Sequence, residues 1–414
     1  MIIINPINQQ RLWKTIQELG KIGAGSNVTE EGVTRLALSL EDLEARKYVI
    51  QLMEESGLDV RVDSVGNIIG KLEGKDKNAP VVMTGSHVDT VYQGGLFDGA
   101  LGVLGGIEAV RSIKELGIEL THSIEVVSFT DEEGARFGTG YIGSKAMTGY
   151  LDEATLNLKD ANGITYSEAL RQAGFDATQY KLAIRKPEEI KAYLEMHIEQ
   201  GKVLEEHELA VGVVTTIQGP VWLEVTLNGH PDHAGATPMN MRKDASLAMA
   251  EVMLEVERIS TNYEGVGTVG KTHVEPGGVN IIPGRAVFSI DLRHGDKELR
   301  SKMVDEVTKA INEICERRDI IAEIDMKKAV DPATCSESIV GMLEDSCAEL
   351  NISTMKLPCG AGHDSLMMTK VTEMGMIFVR SKDGISHNPK EWTDEEDCVI
   401  GTQVLLQALI KLAK

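Results

Sequence analysis

Four short apolar runs in this chain end in histidines or consecutive acids, and they constrain the fold more than any other feature. Residues 81–84, 124–129, 192–196 and 375–380 form the runs, and the ends carry His87, Glu132 with Glu133, His197 and His387. Such runs, bounded by turn residues, predict buried strands. Sites in open α/β sheets form at the carboxyl ends of strands. The four runs therefore predict one sheet with a shared site.

Helical patterns between these runs predict the rest of the architecture. Residues 8–20, 40–56 and 101–116 have helical patterns, so strands and helices alternate as in an α/β sheet with layers on both faces. Between Gly212 and about Ile324 the order is strand, helix, strand, strand, helix, strand, which suits a small antiparallel sheet with helices on one face. We therefore expect two domains, residues 1–210 with 326–414, and residues 211–325.

Composition excludes several classes of partner. The chain has 414 residues and a net charge of −22, which argues against nucleic acid and anionic membranes. Its five cysteines are scattered and predict reduced thiols. The N-terminus has no basic segment before an apolar stretch, and no apolar run approaches the ~20 residues that span a bilayer. We therefore expect a cytoplasmic protein without a signal peptide.

The residues at the strand ends suit a metal. A lone histidine is usually structural, and residues 131–133 could be a solvated acidic turn, but three histidines and an acid pair at four strand ends favour a shared function. Imidazole with carboxylate is the ligand set of Zn²⁺, and Mn²⁺ and Co²⁺ compete for it. Asp89 stands two residues after His87 and could orient its imidazole through the carboxylate.

Seven motifs resemble one known family in order and spacing. They are Gly85-Ser-His87-Val-Asp89, Gly95-Leu-Phe-Asp98-Gly99, Thr130-Asp-Glu132-Glu133-Gly134, Glu195-Met-His197-Ile-Glu-Gln200-Gly201, His233-Ala-Gly-Ala-Thr-Pro238-Met239, Asn280-Ile-Ile-Pro283 and Gly384-Ile-Ser-His387. The chain resembles the amidohydrolase branch of the dinuclear M20 metallopeptidase-like family. That branch holds N-carbamoyl-L-amino acid hydrolases, allantoate amidohydrolases and β-ureidopropionases. The resemblance implies a zinc-exopeptidase-like three-layer αβα catalytic domain and an inserted α+β, ferredoxin-like lid and dimerisation domain.

The same resemblance implies two divalent metal ions per subunit, as Zn²⁺, Mn²⁺ or Co²⁺. It assigns His87 and His197 to one metal, Glu133 and His387 to the other, and Asp98 as the bridge, with Glu132 as general base. The peptidase branch typically has an acid where this chain has His197, so His197 points to the amidohydrolase branch.

Substrate contacts are also implied. The inserted domain would supply His233, Asn280 and Arg293, with His233 reaching the partner subunit's site. Gln200 would line the pocket, and Gly360 and Ala361 would lie along the substrate; all of these residues are therefore expected at one site. Arg293 suits a substrate carboxylate because its guanidinium is a planar fork. The alternative is an ion pair between Arg293 and Asp291 within the domain.

The expected function is hydrolysis of the carbamoyl C–N bond of N-carbamoyl-L-amino acids to the L-amino acid, ammonia and CO₂, by a homodimer. The runner-up substrate is allantoate. β-Ureidopropionase comes next, together with an M20 dipeptidase or aminoacylase, which His197 disfavours. A non-catalytic binding relative is a further alternative, but such a protein would not need the base Glu132. The expected partner is a small ureido or carbamoyl compound with a carboxylate.

Overall fold

The computed structural model describes residues 6–414. Its strands are β1 (Asp59–Val62), β2 (Ile68–Leu72), β3 (Val81–His87), β4 (Ile124–Phe129), β5 (Ile190–Ile198), β6 (Val211–Ile217), β7 (Gly219–Asn228), β8 (Val266–Glu275), β9 (Arg285–His294), β10 (Ile321–Ala329), β11 (Ala333–Thr334), β12 (Lys356–Cys359) and β13 (Glu373–Val379). Its α-helices are α1 (Gln9–Gly20), α2 (Val28–Glu31), α3 (Leu40–Glu55), α4 (Ala100–Glu115), α5 (Ile142–Thr148), α6 (Glu153–Leu156), α7 (Tyr166–Gln172), α8 (Val203–Glu206), α9 (Ala245–Asn262), α10 (Lys297–Arg318), α11 (Glu337–Glu349), α12 (Asp364–Met368) and α13 (Glu395–Ala413).

The chain divides into two units. The first comprises the residues up to Thr215 together with Cys335–Lys414, and the second is Thr216–Thr334. The predicted boundary at residue 325 falls inside β10, which pairs with β7 from Ile321 to Ala329. The division therefore comes after β10, at residue 334.

The large sheet of the first unit is parallel in its middle. Its strands follow the order β1-β2-β4-β3-β5-β13-β6, and β12 also pairs with β6. Strands β4, β3, β5 and β13 are parallel neighbours. His87 lies opposite Phe129, the last residue of β4, so the ends of β3 and β4 are level. The predicted sheet is confirmed, and its parallel strands point their carboxyl ends to one edge.

Helices cover both faces of this sheet. In β5, Met196 faces α4 and α13, because a side chain at Gly105 or Gly401 would overlap it. The neighbouring Glu195 faces α12, where its carboxylate accepts the backbone N–H of Ser365 at 2.9 Å. Successive strand residues point to opposite faces, so these helices lie on opposite sides of the sheet. The predicted three-layer αβα architecture is confirmed.

Capping side chains stand at the start of several helices. The hydroxyl of Ser39 accepts the N–H of Asp42 at the start of α3. Asp244 accepts the N–H groups of Ser246 and Leu247 at the start of α9. Such caps satisfy backbone donors that have no partner within the helix, and each stabilises by about 1 kcal/mol.

The second unit has the predicted strand and helix order. Its elements run β7, α9, β8, β9, α10, β10, and its antiparallel sheet has the order β10-β7-β9-β8. Alternate residues of β7 and β9, such as Val225 and Phe288, are buried in one cluster with Val256 of α9 and Val307 of α10. The predicted ferredoxin-like arrangement, with both helices on one face, is confirmed.

Across residues 6–414, the helices are too short or too polar to cross a membrane. All five cysteines are buried and unbridged.

Candidate active site

Two groups of potential metal ligands share one carboxylate. His87, Asp98 and His197 form the first group, and Asp98, Glu133 and His387 form the second. Within each group the ligand atoms lie within 4.8 Å of one another. The structure thus brings all five predicted ligands together, and it divides them as the family resemblance implies.

Asp98 turns one oxygen towards each group. Its Oδ1 lies 3.2 Å from Nε2 of His197 and 3.6 Å from Nε2 of His87. Its Oδ2 lies 3.2 Å from Nε2 of His387. Gly99 follows with a φ of 64°, and any side chain there would overlap the His87 ring. The glycine therefore allows the carboxylate to stand beside the imidazoles.

Backbone carbonyls fix the orientation of two imidazoles. Nδ1 of His87 lies 3.0 Å from the carbonyl oxygen of Asp89, and Nδ1 of His197 lies 2.9 Å from that of Ile198. A carbonyl oxygen only accepts hydrogen bonds, so each Nδ1 carries a hydrogen. In the neutral ring, Nε2 then carries the lone pair and faces Asp98, and Nε2 of His197 also accepts the backbone N–H of Gly99 at 3.1 Å. Both rings present the atom that a metal would bind.

The acid turn after β4 is held by Asp89. Its carboxylate accepts the backbone N–H groups of Glu132 and Glu133, each at 3.2 Å. The carboxylate is 3.7 Å from Nδ1 of His87, so the predicted carboxylate contact is replaced by the shorter one from the Asp89 carbonyl. Asp89 therefore orients the imidazole through its main chain and the acidic turn through its side chain.

Glu132 lies beside the ligand groups and belongs to neither of them. Its Oε2 is 3.6 Å from Nε2 of His87, and its side chain is 7% exposed. A carboxylate that adjoins the ligands but has its own oxygens available can transfer protons. The position suits the predicted role of general base.

Burial and neighbouring charges shift the pKa of several side chains in this cluster of acids and histidines. Burial raises the pKa of Glu132 and of Glu133 well above the ordinary value, and neighbouring carboxylates raise it further. Burial lowers the pKa of His87 to about 4. Burial also opposes the charge of His197, but its hydrogen bond to Asp98 prevails and raises its pKa to about 9. Protons therefore stabilise this cluster, and a bound cation would replace them.

The residues present fit a divalent cation. Oε1 of Glu133 is buried and has no hydrogen-bond partner within residues 6–414. A buried carboxylate is costly unless it is paired or binds a metal. The donors are imidazole nitrogens and carboxylate oxygens, as Zn²⁺ and Mn²⁺ prefer. The His387 side chain is 51% exposed, which leaves the second group open to water and substrate.

Gln200 contacts the shared carboxylate. Its side-chain nitrogen donates to Oδ2 of Asp98 at 2.8 Å, and its backbone has a φ of 57°. It was predicted to line the substrate pocket, and here it lies within the ligand cluster. Its Oε1 is buried and unpaired within the part of the chain that the structure describes.

Glu391 was missed by reasoning from the sequence. Its Oε1 accepts the backbone N–H groups of Phe97 and Asp98 at 2.9 and 3.0 Å. Its Oε2 lies 2.8 Å from the hydroxyl of Ser386. The available signal was an acid four residues after His387 and next to a tryptophan. Nothing in that spacing shows that the acid turns back towards Asp98.

The predicted substrate loop reaches the site through His363. The ring of His363 is buried, with its centroid 4.2 Å from that of His197. Gly360 and Ala361 precede it, and the carbonyl of Ala361 accepts the thiol of Cys359 at 3.2 Å. The loop is therefore next to a predicted ligand, while the substrate role of Gly360 and Ala361 remains a prediction.

Two predicted substrate residues meet on the surface of the second unit. The N–H of Ala234, next to His233, donates to the carbonyl of Asn280 at 2.9 Å, and both His233 and Asn280 are exposed. Nδ1 of His233 accepts the N–H groups of Gly235 and Ala236 at 3.1 Å. The neutral ring then carries its hydrogen on Nε2, which makes this atom a donor.

Arg293 forms an ion pair with Asp291, which was the alternative to its predicted role in binding a substrate carboxylate. Its Nη2 lies 2.7 Å from Oδ2 of Asp291, two residues earlier on β9, and both side chains are about 30% exposed. Because alternate strand residues share a face, the pair follows from the sequence. A partly exposed pair of this kind contributes little stability, so a carboxylate ligand could compete for the guanidinium.

The αβα fold, the ligand groups and the adjacent Glu132 define the class of metal-dependent hydrolases. The chain belongs to the peptidase family M20/M25/M40, whose family model matches residues 83–411. The predicted family is confirmed.

Curated relatives match this chain over nearly its whole length. The chain is 45% identical to the N-carbamoyl-L-amino acid amidohydrolase of Geobacillus stearothermophilus, over 99% of each chain. It is 37% identical to the allantoate amidohydrolase of Bacillus subtilis, over 96% of each chain. A crystal structure of a hydantoinase/carbamoylase family amidase from Burkholderia multivorans matches with a TM-score of 0.93, at 35% identity over 98% of each chain. The predicted amidohydrolase class is confirmed, and both predicted substrates occur among the names of relatives.

Proposed function

We propose that the protein hydrolyses the carbamoyl C–N bond of N-carbamoyl-L-amino acids. The observation that carries this proposal is the pair of ligand groups that share Asp98, with Glu132 beside them. The printed name of the Geobacillus relative supports the choice of substrate.

The residues that would hold the metals are those of the two groups. His87, His197 and Asp98 would hold one divalent cation, and Asp98, Glu133 and His387 a second; Zn²⁺, Mn²⁺ and Co²⁺ all suit these donors. Bound cations supply Lewis acidity, which lowers the pKa of water and polarises a carbonyl group.

Glu132 moves the proton. Its carboxylate takes a proton from the water whose oxygen attacks the ureido carbonyl carbon, and it later gives that proton to the leaving nitrogen. A C–O bond forms and the C–N bond breaks, so the L-amino acid leaves as an amine. The remaining carbamic acid decomposes to ammonia and CO₂, which balances the reaction with one water.

The second unit would recognise the substrate. Nε2 of His233 can donate a hydrogen bond to the oxygen that becomes negative in the transition state. Arg293 can bind the substrate carboxylate with two parallel hydrogen bonds. Asn280, Gln200 and the backbone at residues 360–361 would complete the contacts.

We infer further that the protein is a cytoplasmic homodimer in which the second unit, Thr216–Thr334, forms the lid and dimerisation domain. Strand β8 lies at one edge of the second sheet, where a further strand or chain could pair. His233 would act in the partner's site. Light scattering after size exclusion measures the oligomeric state, and a monomer would contradict the proposal.

Mixed dimers test the exchange of His233 between subunits. We expect Glu132→Gln and His233→Ala chains each to have little activity alone. After subunit exchange, half of the dimers are mixed and each has one intact site if His233 acts on the partner. Activity then returns to roughly a quarter of wild type. No return would place His233 in its own subunit's site.

The substrate is tested by ammonia release from N-carbamoyl-L-methionine and from allantoate, using one preparation loaded with Mn²⁺ and a chelator-treated control. We expect release from the carbamoyl amino acid that is lost on chelation. A large preference for allantoate would move the function to that substrate, which the Bacillus subtilis relative's name favours. If neither compound releases ammonia, both proposed substrates are contradicted.

A further inference from the structure

The carboxylate of Glu391 connects two loops that carry predicted metal ligands. Its Oε1 accepts the N–H groups of Phe97 and Asp98 at 2.9 and 3.0 Å, and its Oε2 lies 2.8 Å from the Ser386 hydroxyl. Ser386 immediately precedes His387. Glu391 is 2% exposed, so these protein contacts replace its hydration. One side chain thus fixes the main chain at Asp98 and the residue next to His387.

The hydroxyl of Ser386 extends this connection to the shared ligand itself. It lies 2.9 Å from Oδ2 of Asp98 as well as 2.8 Å from Glu391. Oδ2 is the oxygen that faces His387. The Ser386 hydroxyl therefore stands between the two carboxylates, on the second-group side of Asp98, and its one hydrogen is donated to either Asp98 or Glu391.

Aromatic rings reinforce the same contact. Trp392 follows Glu391 and packs edge-on against Phe97, with centroids 5.6 Å apart. Trp13 of α1 packs against both rings, at 5.9 Å from Phe97 and 5.5 Å from Trp392. Gly95 leaves room for the connection, because a side chain there would overlap the Glu391 carboxylate. We call Trp13, Phe97, Ser386, Glu391 and Trp392 the loop clamp.

The first ligand group has other supports. His87 is the last residue of β3 and His197 lies within β5, and backbone carbonyls hold both rings. His387 instead stands in a loop with a φ of 53° and is half exposed. The spacing between His387 and Asp98 therefore depends on the loop clamp, while two of the three ligands of the first group, His87 and His197, stand on strands of the sheet.

We propose that Glu391 is a positioning residue that holds Asp98 and His387 at the spacing required by the cation of the second ligand group. The inference rests on the proposed metal site and deepens it. Outer contacts of metal ligands typically change metal affinity about 10- to 100-fold. The loss of Glu391 should weaken binding of the second cation by this factor and binding of the first less, because only Asp98 of the first group depends on Glu391.

The test compares Glu391→Ala, Glu391→Gln and Ser386→Ala with the control Glu396→Ala, an exposed acid in the neighbouring helix. Calorimetric titration of the chelator-treated full-length protein with Mn²⁺ gives the affinities, and elemental analysis after dialysis gives the bound metal. We expect a selective loss of the second site in the Glu391 variants, a smaller one in Ser386→Ala, and none in the control. Equal weakening of both sites, or no weakening, would overturn the inference.

Tryptophan fluorescence gives an independent readout. The chain has three tryptophans, and Trp222→Phe leaves only Trp13 and Trp392, both in the loop clamp. In this background, Mn²⁺ should change the emission with the affinity of the second site, and Glu391→Gln should move the change to higher concentration. If the emission instead changed at the Mn²⁺ concentration that fills the first site, the inference would be contradicted.

Two further results separate positioning from general stability. The metal-free melting temperature of Glu391→Gln should stay near that of wild type, and excess Mn²⁺ should restore kcat without changing KM. A lower metal-free melting temperature with unchanged Mn²⁺ affinity would make Glu391 merely structural. If Glu391→Ala does not fold, Glu391→Gln and Ser386→Ala decide. If wild type itself binds no Mn²⁺, the proposed metal site fails, which the titration shows before any variant is compared.

Discussion

The predicted metal ligands of the first unit and the predicted substrate contacts of the second are held in different ways. His87 and His197 are buried, and backbone carbonyls fix both rings. His233 and Asn280 are exposed, and Arg293 is partly exposed in a pair with Asp291. Protein contacts alone orient these two rings in the first region, whereas the second region has side chains that can change partner.

This difference matches the chemistry asked of each region. Ligand atoms must stand at fixed distances, because a metal site loses affinity when its outer contacts loosen. Substrate contacts gain by adjusting, since they must bind and release a small molecule in every cycle. The contrast predicts that variants of the first region lose chemistry, while variants of the second lose binding or transition-state contacts.

The largest effect is expected at Glu132. Glu132→Gln should lower kcat by about 10²–10⁴-fold, because the proton acceptor is removed, yet metal content should stay unchanged. Ammonia release measures kcat, and elemental analysis measures the metal content. Glu133→Gln is the matched control and should lose metal as well. Substantial turnover by Glu132→Gln would remove Glu132 from the role of base.

His233→Ala should come next, with a loss of about 10²–10³-fold in kcat, since one donor to the developing negative charge disappears. His230→Ala is the control, because His230 lies in the same turn and is 65% exposed. Steady-state kinetics measure kcat for both variants. Equal losses in both variants would point to a disturbed turn instead of a lost donor.

A smaller effect is expected from Arg293→Ala. Losing charged hydrogen bonds worth about 1.5–3 kcal/mol should raise KM about 10- to 100-fold for substrates with a carboxylate, with little change in kcat. Arg285→Ala, which removes another arginine of β9, should be nearly silent. Unchanged KM in Arg293→Ala would leave the pair with Asp291 as its only role.

The smallest expected effect is on the rate of hydrogen exchange at backbone amides. Mn²⁺ should slow amide hydrogen exchange around residues 130–134 and 385–391, because the cation replaces protons in a buried cluster. Exchange at residues 233–239 should stay the same. Mass spectrometry of peptides from metal-loaded and chelated protein measures this. Equal slowing in both regions would contradict the difference between the metal-ligand region and the substrate-contact region.

The sequence predicts the sheet well because burial dominates it. Strand β4 is found over the predicted Ile124–Phe129, where every residue is buried. Strand β3 was expected to end at Thr84 but continues to His87, because polar residues at a buried strand end still pair with the neighbouring strand. β8 lacks a regular alternation, since its pairing with β9 shifts between Val269 and Thr272.

The site is predictable where position along a strand decides it. His87 and His197 follow from strand ends, and the Arg293–Asp291 pair follows from their alternation on β9. Hydrogen-bond partners are different, because they depend on how distant loops meet. Nothing in the spacing distinguishes the Asp89 carbonyl from its carboxylate as the partner of His87, or shows that Glu391 reaches Asp98.

The carbonyls that orient His87 and His197 have a consequence for evolution and redesign. Each belongs to the main chain, at Asp89 and Ile198, so substituting either side chain leaves the acceptor in place. Mutation can thus alter the surroundings of these two rings without changing which nitrogen they offer. His387 instead stands next to Ser386, whose side chain contacts those of Asp98 and Glu391, and mutation can replace these side chains. New metal preferences should therefore arise first at the His387 end of the site.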